Sequence, residues 1–486
     1  MAKKIQPASW KTTKKERRNY IIGDLARTVE GYILTAFMST FLIFQGINLA
    51  AIAGVILFVK IIDAFDDVIF GYIVDKIRIT DWKLTKKIAG EGKYLPWYRL
   101  TFLFFPLFTI LFFLMPASLP NYGKLIWFVA FYLLYDLSYT LVEVPMNSMI
   151  ITLTDDIKER DSILQTKTIL SAIGTIGAGV LWTVLISENV GFSIKSVAIV
   201  SSVILMFVML PLAFGVREHN TELENVDPEK QGHYSFKDML NCIKTNKYLL
   251  VLLLSTIVSQ CLMTGGAVGT FVSYYFFGSS LVLIIPIAIA FIPQLIAQMQ
   301  VKKLTAKYGK RFIFLLTGLT GAIIYSFIFF FGKNFIAACV FLVLQAIPGN
   351  MSNVAKSFFL PDTIEYARYK TGKDCSGICY SMQSFVTKLT SSVASSLGLF
   401  ILGLSNWIPI QAESFEDVAA LGIEQPPEAM NVLWIIYALI PTIGTLLGVL
   451  TLFFYKLKDK DAELMAKCNA GEITREECEA QLSQKY

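Results

Sequence analysis

Three carboxylates fall close together in one apolar stretch, at Asp63, Asp66 and Asp67 of FVKIIDAFDDVIFGYIVD, residues 58–75. A charged side chain in a hydrocarbon-facing helix is costly, so acids embedded there generally face the interior of a bundle and mark an ion or substrate path. Helical periodicity stacks residues 63 and 67 on one face, with 66 beside them. That arrangement is a cradle for a small cation. Lys60, on the same stripe, can neutralise Asp63, but it leaves Asp66 and Asp67 in need of a proton, an ion or a partner. Two bare carboxylates at depth would cost several kcal/mol.

Glu143 is a second embedded acid, in LSYTLVEVPMNS (residues 137–148), with Thr140 one turn before it and Pro145 just after. Proline removes an N–H and frees a backbone carbonyl. Carboxylates, a hydroxyl and a carbonyl are the hard oxygen ligands that Na+ or Li+ accepts, so Glu143 with Thr140 is a second candidate group beside the cluster of Asp63, Asp66 and Asp67. Two embedded cations complete the set. Lys167 opens the fifth apolar run and can snorkel to the surface. Lys388 lies deeper in the eleventh and needs a carboxylate, for which the acids of the second and fourth runs are the dense supply. Tyr32, Tyr139 and Tyr380 are candidates for stacking on the apolar face of a pyranose.

These groups need elements to hold them, and composition says which. Mean hydropathy is +0.57, hydrophobic residues make up 55% and charged residues 16%, against about a quarter in soluble chains. Apolar runs that meet the ~20-residue spanning requirement occur at 20–45, 49–75, 99–118, 124–152, 162–187, 194–216, 247–277, 280–301, 312–332, 335–360, 377–404 and 431–455. The fold class is therefore all-α, polytopic, with twelve transmembrane helices. Loops on the side of the N-terminus hold 35 Lys and Arg, and the opposite loops hold three: Lys124, Lys195 and Lys333. By the positive-inside rule both termini are cytoplasmic and the protein sits in the cell membrane. The scattered basic residues argue against nucleic-acid binding. No secretory leader is read in the polar, basic first 19 residues, and no phosphate-binding G-x4-GK[ST] loop occurs. The seven cysteines form no framework, and Cys375-x3-Cys379 has too few ligands for a metal centre.

The polar segment 217–246 divides the spans six and six, which predicts a cytoplasmic tail at 1–19, a half at 20–216, a central loop at 217–246, a second half at 247–456 and a cytoplasmic tail at 457–486. The halves echo each other. Pro145-x-Asn147 leads to Asp156-Ile157-x-Glu159-Arg160, and Pro348-Gly349-Asn350 leads to Asp362-Thr363-Ile364-Glu365. Lys167 and Lys388 each precede a stripe of small residues. Parallel repeats of this kind build carriers whose two bundles rock around a shared site. In the C-tail, Thr474 reads as the cap of a helix.

Asp63-Ala-Phe-Asp66-Asp67-x3-Gly71-x3-Asp75, Gly92-Lys93-Tyr94-x-Pro96-Trp97, Glu143-x-Pro145 and, above all, DTIEYARYKTGKDCSGICYSMQSFVTK (362–388) resemble the glycoside–pentoside–hexuronide:cation symporters of the major facilitator superfamily. The resemblance runs over residues 20–455. It implies cation coupling through Na+, Li+ or H+ at Asp63, Asp67 and Glu143, with Thr140 alongside. It also implies a sugar site that shares Glu143 with the basic residues Lys167 and Lys388. Three departures stand out. Asp66 replaces an amide or small polar residue, Asn147 stands where a sugar-stacking tryptophan is found in the family, and the helix-1 acid is matched only by the group Asp24, Arg27 and Glu30. The expected substrate site is thus Glu143, Lys167, Lys388, Asp24, Arg27, Tyr139, Asn147 and Tyr380.

The function expected from these residues is import of a sugar by symport with Na+ or H+. No cofactor is expected besides the coupling ion, the partners are sugar, cation and lipid bilayer, and the carrier is read as a monomer and not an enzyme. An uncoupled facilitator or a lipid or drug carrier on the same scaffold is the alternative, and the embedded charges argue against a lipophile path. A non-transporting sensor acting through 457–486 is a third reading.

Overall fold

The computed structural model describes residues 10–76, 79, 92–154, 156–219, 244–372 and 376–484, the side chains of 64–76, 157 and 377 excepted. The side chains of Asp66, Asp67 and Asp75 therefore lie outside the described residues, as do most of the basic segment 76–100 and of the central loop 217–246. In chain order the first helices are α1 (Lys14–Phe44), α2 (Leu49–Lys76), α3 (Leu95–Thr101), α4 (Phe104–Phe113), α5 (Asn121–Leu153), α6 (Ile157–Ile186) and α7 (Ile194–Gly215). Then come α8 (Lys247–Cys261), α9 (Gly269–Phe277), α10 (Ile284–Tyr308), α11 (Lys310–Phe331), α12 (Phe335–Ser357), α13 (Phe359–Thr371) and α14 (Ser376–Gly403). The last are α15 (Phe415–Leu421), α16 (Pro427–Trp434), α17 (Ile440–Thr451), α18 (Asp459–Asn469) and α19 (Arg475–Gln481). Among the described residues there is no strand, and one isolated bridge pairs Gln45 with Gln411.

Among the described residues, ten stretches are long and apolar enough to cross a membrane. Helices α1 and α2, of 31 and 28 residues, bear the densest embedded charge and complete the twelve. The chain forms two compact units: Met1–Asn48, Phe58–Gly232 and Pro409–Glu424 make the first, and Leu49–Leu57, His233–Ile408 and Gln425–Tyr486 make the second.

In the first unit α1 packs on α6 and α7, and α4 packs on α5 and α7. Close approach depends on small residues: a Cβ at Gly23 of α1 would lie 2.5 Å from the Leu212 side chain of α7. Lipid supplies no hydrophobic drive between helices, so contact of this kind is what holds them. The third span starts at Leu95 rather than at 99 and breaks between α3 and α4. Pro106 has no N–H to give to the carbonyl of Phe102, which accounts for the break.

The rim of this unit on the side of the N-terminus is tied by Glu159. Its carboxylate is fully buried and accepts the backbone N–H groups of Lys11 (3.1 Å) and Thr12 (3.3 Å), the hydroxyls of Thr12 and Thr154, and Arg17 (3.0 Å). Asp156 caps the same helix by accepting the N–H groups of Lys158 and Glu159 at 2.8 and 3.0 Å. Replacing Glu159 with Ala removes the shared acceptor of the half-buried Arg17 guanidinium, two amides and two hydroxyls, and is expected to cost about 1.5–3 kcal/mol. Thermal unfolding of the purified protein measures this, and Glu159→Gln, which keeps an acceptor, is expected to lose less.

In the second unit α12 packs on α10 and α11, and α8 packs on α14 and α17. The seventh span, expected as one helix, is interrupted at Thr264–Ala267 by a 3-10 turn containing Gly265 and Gly266. Between α16 and α17 the helix widens into a π turn at Ile435–Leu439. Pro441 there leaves the Tyr437 carbonyl without an N–H, and the Tyr325 hydroxyl fills the gap at 3.4 Å. At the rim, Asp362 accepts Lys310 through both oxygens at 2.7 Å, and Glu365 accepts the Asn469 amide at 2.7 Å. The C-tail thus folds back, with α18 on α13 and with Met465 and Cys478 fully buried. Thr474 caps α19 as expected, accepting the Glu477 N–H at 3.2 Å.

Candidate functional site

Three helical stripes of the first unit converge on one network. Asp24 and Arg27 lie three apart on α1, Tyr139, Glu143 and Asn147 recur every four residues on α5, and Lys167 and Ser171 lie four apart on α6, so each set shares a face of its helix. The Arg27 guanidinium is buried. It donates to the Tyr139 hydroxyl at 2.8 Å, to the Glu143 carboxylate at 3.0 Å and to Asp24 at 3.2 Å. Tyr139 in turn donates to Glu143 at 3.0 Å. Lys167 reaches Asp24 at 3.2 Å and the Asn147 side-chain oxygen at 3.0 Å, and Ser171 donates to Asp24 at 3.3 Å.

The network holds two acids and two bases, so its formal charge balances. That balance is what makes it tolerable away from water, where a carboxylate without a partner would cost several kcal/mol. Burial is graded across it. Asp24 is 1% exposed, whereas the Glu143 side chain is 26% exposed and Asn147 is exposed. Chemically the rim presents a carboxylate that can accept hydroxyl protons, an amide that can donate and accept, and a guanidinium and an ammonium that donate. This is a set suited to a polyhydroxylated ligand.

Two of the acids that the sequence reading grouped have basic partners of their own. Asp63 pairs with Lys60 at 2.7 Å and takes a long contact from the Tyr132 hydroxyl at 3.5 Å, while Glu143 pairs with Arg27. The carbonyl that Pro145 frees is that of Leu141. It lies 3.2 Å from the Thr101 hydroxyl, whose one proton also has the Trp97 carbonyl at 2.8 Å, and this contact sets α3 against α5. Thr140 is buried. Lys167, which could have snorkelled to the surface, is drawn instead to Asp24.

Lys388 and Tyr380 belong to α14 of the second unit, Lys388 half-buried and Tyr380 exposed on the wall of a cavity. Tyr32 stacks on Trp182, with centroids 6.1 Å apart. Sequence reasoning passed over Ser171, Trp182 and Tyr132. Ser171 carried a usable signal, lying one turn after Lys167 on the same face. Glu30 is fully buried in this unit, with the hydroxyls of Thr109 and Ser202 nearby.

Comparison with known proteins bears on the whole chain. A family model described as MFS/sugar transport protein matches residues 19–459. The chain is 24% identical over 464 residues to the glucuronide carrier protein homolog of Escherichia coli (strain K12), covering 94% of each protein. It is also 24% identical over 469 residues to the isoprimeverose transporter of Lactiplantibacillus pentosus, covering 93% of this chain and 90% of that one. Among solved structures, a bacterial homologue of the human lysosomal transporter Spinster, in an inward-facing and unoccupied conformation, matches with a TM-score of 0.61 at 12% identity. That match covers 91% of this chain and 97% of the other, and it is a likeness of fold.

Proposed function

The chain belongs to the MFS/sugar transport protein family, as a multi-pass membrane transporter of the glycoside–pentoside–hexuronide symporter type and not an enzyme, and on that premise we propose that it imports a glycoside, pentoside or hexuronide by symport with Na+ or H+. The observation that supports this most directly is the balanced network of Asp24, Arg27, Glu143 and Lys167, with its half-exposed rim at Glu143 and Asn147. Sugar hydroxyls would replace the hydrogen bonds that the rim groups make to each other. Asp63, Asp67 and Glu143 are the proposed cation ligands, with Asp66 and Thr140 beside them. Both termini are placed in the cytoplasm, in the cell membrane, and the carrier is taken to work as a monomer.

Coupling in this scheme is a linkage free energy. A cation that displaces Lys60 from Asp63, or Arg27 from Glu143, frees a donor for the sugar, and the sugar by reciprocity favours the cation. Uptake of labelled glycosides, pentosides and uronides into vesicles, with and without imposed Na+ and pH gradients, tests the reading. At least one sugar is expected to accumulate against its gradient only when one of the ion gradients is imposed. One observation favours the uncoupled alternative: Asp63 and Glu143 each already have a basic partner. A facilitator of that kind would equilibrate its sugar at a rate indifferent to both gradients.

A further inference from the structure

The second unit holds a partly open cavity of about 760 Å³ whose walls come from α8, α11, α12, α14 and α17. Its volume is within the range of small-ligand sites, roughly 300–1,000 Å³. Gly318, Gly321, Gly349 and Gly448 stand on its walls. The polar lining is neutral, chiefly the amides Gln345, Asn353 and Gln383 and the hydroxyls Ser259 and Thr387, with one exception. Lys356, in the last turn of α12, is the single charged residue among the described lining, and no Asp or Glu lines the cavity with it.

A lysine at a helix C-terminus can simply complement the helix dipole. Here the ammonium leaves its own helix. Its hydrogen-bond partner is the Ser259 hydroxyl on α8, at 3.4 Å, and among the described residues no carboxylate pairs with it. One weak partner leaves donors of a three-donor group unused. A half-buried ammonium with no matching charge is costly, and a ligand that carries the opposite charge recovers the cost.

We propose that this cavity binds the carboxylate of an anionic sugar, with Lys356 as its countercharge and the surrounding amides and hydroxyls facing the sugar hydroxyls. The proposal rests on the sugar-transport reading and narrows it from sugars at large to uronides. A neutral glycoside of the same shape fills the cavity and leaves Lys356 unmatched. A hydrogen bond to a charged group is worth about 1.5–3 kcal/mol, which corresponds to a preference of roughly ten- to hundredfold.

The test compares matched pairs that differ at C6 alone: methyl β-D-glucuronide against methyl β-D-glucoside, and methyl β-D-galacturonide against methyl β-D-galactoside. Binding to the purified full-length protein and uptake into vesicles are both measured. The wild type is expected to favour the uronide of at least one pair by about tenfold or more. Lys356→Gln is expected to bring that ratio close to one, and Lys356→Arg, which keeps the charge, to retain most of it. A ratio that survives in Lys356→Gln, or a wild type that takes both members of a pair equally, overturns the proposal while leaving sugar transport standing. A wild type that binds and moves none of the four sugars strikes at the sugar-transport reading itself.

Discussion

Asp24→Asn is expected to cost the folded protein about 3–5 kcal/mol and to reduce sugar uptake by at least about a hundredfold, a loss worth about 2.7 kcal/mol. Asp24 is 1% exposed and lies 3.2 Å from both the Arg27 and the Lys167 nitrogens. Asparagine preserves its size and removes its charge. Two buried cations would then face each other with Glu143 as their one acid. Thermal unfolding in detergent reads the stability, and vesicle uptake reads the function. A double variant, Asp24→Asn with Lys167→Gln, removes one charge of each sign. Contacting residues couple by roughly 0.5–3 kcal/mol, so the double variant is expected to be more stable than Asp24→Asn alone. Uptake is expected to stay low in the double variant as well, since its rim has lost Lys167. Wild-type stability in Asp24→Asn would show that the triad of Arg27, Asp24 and Lys167 does not form in the folded protein.

That triad shows where sequence reasoning reached and where it stopped. Each of its helical stripes was legible: an embedded acid and base three apart on α1, a Tyr–Glu–Asn series at four-residue steps on α5, and a lysine before small residues on α6. Periodicity fixes which residues share a face. It does not say which faces meet, because Asp24 and Lys167 are 143 positions apart and their meeting depends on how α1 lies on α6. Spacing names local pairs three apart: it gave Lys60 with Asp63, and Asp24 with Arg27 is equally local though it was not read as a pair. Pro145 was read as opening a carbonyl, which it does, but the hydroxyl that lies near that carbonyl comes from Thr101, on a segment that had been placed in a span beginning at 99 with no special role. The breaks at Pro106, at Gly265-Gly266 and before Pro441 were each written in the chain as helix-disfavouring residues. Hydropathy averaged over twenty residues does not register them. The C-terminal tail was legible as helix from its composition and its Thr474 cap. Its docking on α13 turns on long-range contacts such as Asn469 with Glu365, which no local pattern announces.

Lys60→Met is expected to make the stability of the protein depend on Na+. The Lys60 ammonium sits 2.7 Å from Asp63 and 5.0 Å from the Tyr132 ring centroid, which is the place a cation bound to Asp63 would occupy. The residue's own charge therefore competes with any ion for that carboxylate. Removing it leaves Asp63, only 8% exposed, with a negative charge that needs matching. If Asp63 belongs to the cation site, dissolved Na+ supplies the match, and a site filled at a hundred times its dissociation constant stabilises by about 2.7 kcal/mol. The comparison is thermal unfolding in NaCl and in choline chloride at equal ionic strength, so that general screening is held constant. The melting temperature of Lys60→Met is expected to rise several degrees in Na+ relative to choline, by more than that of the wild type. Adding Asp63→Asn is expected to abolish the difference, because the variant then has neither the ammonium nor the carboxylate. Equal melting temperatures of Lys60→Met in the two salts would remove Asp63 from the proposed Na+ ligands and leave its pairing with Lys60 as a structural contact.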